Sequence, residues 1–276
     1  KISQVKQFWS GLFYHNNALY LMGVNKIYGD VVIRKSTDKG RTWTEPLDEK
    51  TGLLFKASDS AGYHTAPVPV VVQHNRIWRG MEFVKNVNPN KWGNFEALML
   101  SAPLGADLLD AANWTASNHF TFQKNWTTGS AWLEGNAVVT NAGEVVNILR
   151  VHNKTDDIAA VLSIDKNGKE LRFDSVNGFI KLYGACKKFT IRQNPHNKMY
   201  YTFTNAIPDE YLGGNVERTR NSLYLLSSKD LNNKKKERIV LQSKNINKEG
   251  FQYIDWQFDG DEIVFVSRTS FIDSTG

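Results

Sequence analysis

Short apolar or alternating runs recur along this chain four at a time, broken by Gly, Asn, Asp and Pro, and that recurrence restricts its fold more than any other feature. The first group falls at residues 12–14, 18–23, 30–35 and 43–44, with Asn16-Asn17 as its first turn. The second falls at 66–72, 76–84, 96–101 and 114–115, and the third at 132–140, 144–151, 158–164 and 171–173. The fourth falls at 188–192, 199–204, 222–227 and 238–241, and a fifth begins at 252–258 and 262–268. Helical periodicity is scarce. The segment 102–112, with Asp107, Leu108, Leu109 and Ala111, reads as one helical turn. A four-stranded meander repeated about every 45 to 60 residues buries its faces only by stacking on like neighbours. Closing such sheets into a ring removes most open edges. The expectation is an all-β fold, a β-propeller of four-stranded blades, with six blades expected and five the alternative. The last blade is expected to be completed by residues at the other terminus or by residues outside this chain. No linker rich in Pro, Gly or Ser interrupts the pattern, so residues 1–276 read as a single domain.

Charge and composition narrow the partners. With 34 Lys and Arg against 28 Asp and Glu the net charge is +6, which suits nucleic acid, an anionic surface or an acidic sugar. No zinc spacing, RNA-recognition signature or long basic helix is present, so nucleic acid is not expected. The densest basic run, Lys234-Lys235-Lys236-Glu237-Arg238, follows Leu231-Asn232-Asn233 and reads as a solvated loop. The lone Cys186 allows neither an internal disulfide nor a thiol metal cluster, and reads as a small buried hydrophobe. His15, His74, His119, His152 and His196 read as turn or surface residues, and no pair has a metal-ligand spacing; no metal and no cofactor is expected. No apolar run approaches the roughly 18 residues of a membrane span. The opening Lys1-Ile2-Ser3-Gln4 has no signal-peptide apolar region, and a secreted or periplasmic location is expected with the signal outside this chain. The sequons at Asn113, Asn125 and Asn153 matter only on a eukaryotic secretory path. The 8 Trp, 10 Tyr and 15 Phe suit sheet cores, and also suit sugar stacking; Trp78, Trp132 and Trp256 are open to both uses, with the core favoured.

The most specific local signal is Ser36-Thr37-Asp38-Lys39-Gly40-Arg41-Thr42-Trp43. Asp38 is placed to accept turn amides, Gly40 to take a positive φ, and Trp43 to pack between sheets. Fading copies follow the third strand of later groups, at Ser101…Trp114-Thr115, at Ser163-Ile164-Asp165-Lys166-Asn167-Gly168 and at Ser228-Lys229-Asp230. The pattern resembles the Asp-box of the sialidase (neuraminidase) superfamily, a fold marker away from the catalytic face. That resemblance extends to the order of other residues. Glu134 is followed 16 residues later by Arg150; Arg220-Asn221-Ser222-Leu223 leads into Ser228-Lys229-Asp230; Tyr253 follows Arg220 by 33 residues. In that family the Glu serves as base toward a Tyr nucleophile, and Arg side chains grip a carboxylate. The Arg-Ile-Pro-type motif of sialidases is missing, and Arg34 belongs to the strand before the turn motif. The acid/base Asp is not evident either; Asp59 is a candidate. Tyr63-His64-Thr65-Ala66-Pro67 resembles instead a sialidase-like branch of polysaccharide-degrading bacteria, whose propeller enzymes remove rhamnose from glucuronate by hydrolysis or elimination using a His. Trp132-Leu133-Glu134-Gly135-Asn136, Asn147-Ile148-Leu149-Arg150-Val151 and Gly250-Phe251-Gln252-Tyr253-Ile254-Asp255-Trp256 are similar to segments of that branch.

These residues define a candidate chemistry. A phenol becomes nucleophilic near neutrality when a carboxylate takes its proton, and Glu134 with Tyr253 supplies such a pair. Arg150, Arg220 and Arg268 fall at strand ends, where guanidinium forks suit a sialic or uronic carboxylate. His64, at a strand start before Pro67, is a candidate acid or base. Lys188 is a candidate ligand for a carboxylate or hydroxyl, and Asp255 a candidate to position Tyr253 or a sugar hydroxyl. Each has a structural alternative: Glu134 paired with Arg150, Tyr253 in a core, the arginines paired with Asp255, Asp261 and Glu262. The expectation is a sialidase-like glycoside hydrolase at a terminal acidic sugar. The alternatives are a rhamnosyl-glucuronate rhamnosidase or lyase using His64, and a non-catalytic propeller binding a glycan or protein. Convergence of Glu134, Tyr253, Arg150 and Arg220 in one pocket is what the enzyme readings require.

Overall fold

In the computed structural model, residues 3–87, 92–155 and 157–271 are described, and they form an all-β propeller arrangement with two one-turn 3₁₀ segments, Ala111–Asn113 and Asp209–Tyr211. The first sheet is the meander β1 (Phe8–His15), β2 (Ala18–Val24), β3 (Val31–Ser36) and β4 (Leu53–Phe55). The second holds β5 (Ala61–His64), β6 (Val70–Gln73), β7 (Arg76–Lys85), β8 (Phe95–Pro103), β9 (Thr115–Ala116) and β10 (Phe120–Thr121); β5 and β6 both pair with β7. The third holds β11 (Ala131–Val139), β12 (Val145–His152), β13 (Ile158–Ile164), β14 (Leu171–Arg172) and β15 (Phe179–Lys181). The fourth is β16 (Thr190–Gln193), β17 (Tyr200–Thr204), β18 (Ser222–Ser228) and β19 (Lys234–Gln242). A fifth sheet is the hairpin β20 (Gly250–Asp259) and β21 (Glu262–Ser270). All pairings are antiparallel, and first strands lie beside first strands, β6 against β11, β11 against β16, and β16 against β20.

Alternation along the strands places the core between sheets. Trp78, Trp132, Leu149 and Leu162 are fully buried between the second and third sheets. Phe203, Leu223, Ile254 and Trp256 fill the space between the fourth and fifth. The three tryptophans named for sugar stacking are thus core residues: the Trp78 indole donates to Gln73 O at 2.9 Å and that of Trp256 to Thr190 O at 3.1 Å. Cys186 is buried, and burial pushes its thiol up to about 11, as expected of an inert hydrophobe.

The turn after β3 takes the form its residues dictate. Asp38 accepts the amides of Arg41 and Thr42 and the hydroxyls of Ser36 and Thr42, and these bonds, the Thr42 hydroxyl foremost, hold its carboxyl well below the usual range. Gly40 has φ +84°, and the Trp43 indole donates to Gly40 O at 3.0 Å. Asp165 and Asp230 accept amides in the equivalent turns of the third and fourth sheets.

Several sequence expectations are corrected. Residues 43–44 are not the fourth strand of the first sheet; that place belongs to Leu53–Phe55. The basic run is not a loop but the start of edge strand β19, where alternate residues face water and a strand with several lysines is readily solvated. The helical turn of 102–112 is confined to Ala111–Asn113, capped by Asp110 accepting from Ala112 N at 3.0 Å. Residues 3–7 do not complete the last sheet. They are tied to the first, where Arg34 donates to Val5 O at 2.6 Å and Gln7 Oε1 at 2.8 Å, and Glu45 accepts from Ser3 at 2.9 Å.

Trp132 packs against Phe120, Phe122, Trp126 and Phe173 with ring centroids 5.3–6.0 Å apart. Trp132→Ala should therefore lower the unfolding free energy by about 3–5 kcal/mol in urea titration, as expected of a large-to-small change in a packed core.

Candidate active site

Four of the five sheets interrupt their innermost strand, and the interruptions carry the site. In β1, Phe8 pairs with Val24 and Gly11 with Met22; in β11, Leu133 pairs with Arg150 and Asn136 with Ile148; in β20, Gln252 pairs with Arg268 and Asp255 with Val266. Each inner strand thus advances three residues while its partner advances two, the count of a β-bulge. The residue after the first of these pairs takes a left-handed backbone in all three strands: Trp9 at φ 44°, Glu134 at 58° and Tyr253 at 53°. Such a conformation costs a non-glycine residue about 1–3 kcal/mol and persists where the surroundings impose it. Here it re-aims all three side chains into one cavity of about 530 Å³. The second sheet reaches the same level differently. Its inner strand is broken by residues 65–69, with Pro67 and Pro69 unable to donate to a ladder, and His64 ends the first half. Arg79 stands in for the missing ladder, donating to Val68 O at 3.2 Å, Ala66 O at 3.1 Å and Thr65 Oγ at 3.4 Å.

Trp9, Tyr28, His64, Trp92, Glu134, Arg150 and Tyr253 are among the residues lining the cavity. The Tyr253 hydroxyl donates to Glu134 Oε1 at 2.8 Å. Burial, then the Glu134 charge, pushes the phenol above its ordinary range, while Arg150 and Arg268 pull the other way. Arg150 Nη1 lies 3.2 Å from Glu134 Oε2, yet Arg150 Nε and Nη1 and Glu134 Oε2 have no hydrogen-bond partner although buried. Arg150 is only 5% exposed, so its guanidinium is a desolvated donor at the cavity wall. The His64 ring sits among Trp9, Phe95 and Tyr28 at 4.5, 4.8 and 6.3 Å between centroids, and its Nδ1 meets Glu82 Oε2 at 2.7 Å.

The other expected residues surround this centre without lining it. Arg220 and Arg268 meet on Gln252, donating to its Oε1 at 2.8 and 2.6 Å, and the Arg268 guanidinium lies 4.3 Å from the centre of the Tyr253 ring. Burial and the nearby Arg150 charge lower the Arg220 pKa. Lys188 does not reach the cavity wall: its ammonium is buried on Thr190 Oγ and Ile254 O, where it holds the β20 bulge from beneath. Asp255 instead pairs with Arg192 at 3.0 Å and borders a separate cavity. Asp59 is exposed and not part of the lining. Of the four residues required to converge, Glu134, Tyr253 and Arg150 do, with Arg220 one side chain away. Sequence reasoning missed Trp9, Tyr28, Trp92 and Glu82. Glu82 alone left a signal, a carboxylate amid the apolar alternation of β7. Among the described residues no cluster of His, Cys, Asp and Glu could hold a metal ion, and no helix is long and apolar enough to cross a membrane.

No protein-family model and no curated protein matches the sequence. Solved structures are similar in fold. An α-L-arabinofuranosidase from Lactobacillus brevis superposes with TM-score 0.61 at 11% identity, over 97% of this chain and 85% of its own. An endo-arabinase from Bacteroides thetaiotaomicron superposes with TM-score 0.58 at 12% identity, over 99% and 97%. An exo-β-1,3-galactanase from Clostridium thermocellum gives 0.59 at 11% identity over 95% of this chain, which spans only 54% of the galactanase. These likenesses establish the propeller fold. The three neighbours bear the names of an arabinofuranosidase, an arabinase and a galactanase, not of sialidases.

Burial also lowers the Lys188 ammonium from 10.5 to about 7. Because the folded pKa lies below the unfolded one, the burial penalty is full below about pH 7 and fades as pH rises toward 10.5. The stability of the wild type relative to Lys188→Met should therefore rise over that window, by at most about 1.4 kcal/mol per pH unit. Urea titrations at several pH values check this; a pH-independent difference would contradict it.

Proposed function

We propose that this propeller cleaves a glycosidic bond to a terminal acidic sugar held in the cavity between Trp9, His64, Glu134 and Tyr253. The observation that carries the reading is the Tyr253–Glu134 hydrogen bond at the wall of a cavity also lined by the Arg150 guanidinium, which is ion-paired with Glu134 and has buried N–H groups that make no hydrogen bond. In this reading the Tyr253 oxygen attacks the anomeric carbon as Glu134 takes the phenolic proton, and the bond to the leaving oxygen breaks. Arg150 receives the sugar carboxylate, and Arg220 and Arg268 add positive field from behind. The leaving oxygen needs a proton. Glu134 and Tyr253 are engaged and an arginine does not release one; of the remaining wall groups, Tyr28 and His64, the imidazole is the acid suited to neutral pH, and with Nδ1 held on Glu82 it delivers the Nε2 proton of its doubly protonated form. The cavity volume falls in the range of small-molecule sites. The glycosidase names of the structural neighbours support the broad class, and the site residues support the acidic sugar.

A second reading is favoured by one observation, the buried Glu82 behind His64. A carboxylate-backed imidazole suits acid/base chemistry by itself, as required for hydrolysis or elimination at a rhamnosyl-glucuronate end. A secreted or periplasmic setting would suit either substrate.

The test is turnover of sialosides and rhamnosyl-glucuronate glycans by the wild type, Tyr253→Phe, Glu134→Gln and His64→Ala. Tyr253→Phe should abolish turnover with an unchanged melting temperature, and Glu134→Gln should reduce kcat by roughly 10²–10⁴-fold. Full activity of Tyr253→Phe would rule out the phenol as nucleophile. If that variant stays active while His64→Ala is dead, the second reading holds.

A further inference from the structure

Glu82 is a fully buried carboxylate outside the cavity lining, and both of its oxygens are committed. It lies on β7 directly across from His64 on β5, the two forming a register pair of the antiparallel ladder. Oε2 meets His64 Nδ1 at 2.7 Å, and Oε1 accepts the backbone amide of Gly135 at 3.0 Å. Gly135 is the residue after Glu134, inside the β11 bulge. The approach is possible because the strands nearly touch: a Cβ on Gly80 would stand 2.3 Å from Gly135 O, and one on Gly135 would stand 2.1 Å from Asn147 Oδ1. One side chain of the second sheet therefore grips the group on each side of the cavity.

We propose that Glu82 is a positioning residue for this site, fixing the imidazole tautomer of His64 and, through the Gly135 amide, the bulge that aims Glu134. An ionised carboxylate only accepts hydrogen bonds, so the proton of a neutral His64 ring is held on Nδ1 and the Nε2 lone pair is left free. The Gly135 amide donates to the other oxygen of the same carboxylate. Geometry on both walls depends on the same group: a displaced Glu82 releases the ring on one side and the amide of the strained Glu134-Gly135 step on the other. The kinetic consequence rests on the glycoside-cleaving reading of the cavity; the tautomer does not.

The experiment is a long-range ¹⁵N–¹H correlation spectrum of the histidine rings, taken at alkaline pH, with His64→Ala to assign the signal. The wild type should show Nδ1 protonated and Nε2 bare. Glu82→Gln, whose amide can donate or accept, should populate both tautomers. On any substrate the wild type turns over, kcat of Glu82→Gln should fall by roughly 100-fold with KM within about twofold, the signature of lost acid/base alignment. A wild-type ring protonated on Nε2 overturns the proposal, as does a Glu82→Gln protein with unchanged tautomer and rate. Should Glu82→Gln fail to fold, the wild-type spectrum still decides. Should no glycan be cleaved, the functional reading fails while the tautomer result stands.

Discussion

A single surplus residue in the innermost strand is the constraint from which the site follows. A regular strand sends successive side chains to opposite faces, so residues at the same level of three sheets would point between the sheets as often as toward the axis. Three residues set against two break that alternation locally, and the left-handed backbone at Trp9, Glu134 and Tyr253 turns each side chain toward the common space. The device repeats because the sheets repeat. Hydrogen bonds behind the β11 and β20 bulges sustain the strain there: the Gly135 amide is bonded to Glu82, and Ile254 O accepts from both Thr190 and Lys188. Pre-organisation on this scale suits a site whose reacting groups must already be in place when a ligand arrives.

The sheets were legible in the sequence because alternation and turn chemistry are local. Residues 158–164 and the strands around 200 and 225 stand where the pattern puts them, and the Asp38 turn forms its bonds within residues 36–42. Misreadings have local causes as well. Thr44 does donate to Lys35 O, but the contact is too short to extend the sheet, and the real fourth strand lies nine residues further on. Strand β19 carries its lysines on an edge where solvent reaches them, so a charge run does not betray a strand.

The site was legible only in part. Glu134, Arg150 and Tyr253 stood out through their order along the chain, and they do meet. Trp9 did not, and Glu82 showed only as a carboxylate out of place in an apolar strand, since their roles depend on a bulge in one strand and on contact between neighbouring sheets, neither of which has a short-range signature. Asp255 sits two residues from Tyr253 yet pairs with Arg192, because the bulge between them changes which neighbours share a face, and Lys188, just before β16, is buried on Thr190 and Ile254 O. At 11–12% identity the neighbouring propellers keep the frame while sharing few side chains, which is consistent with cores that tolerate wholesale replacement at conserved volume and pattern.

Arg79 has a further significance. Residues 65–68 form no ladder, and a run of unpaired carbonyls inside a protein is costly. One planar cation, wholly enclosed, satisfies that run as an adjacent strand otherwise would, serving as a prosthetic edge for the broken sheet. Its fixed fork spans neighbouring acceptors at once, which the compact ammonium of lysine does not reproduce. The wall that ends in His64 therefore owes its shape to a charge that never meets solvent. A lysine there, though equal in formal charge, would leave the segment free to sag into the space a ligand would fill.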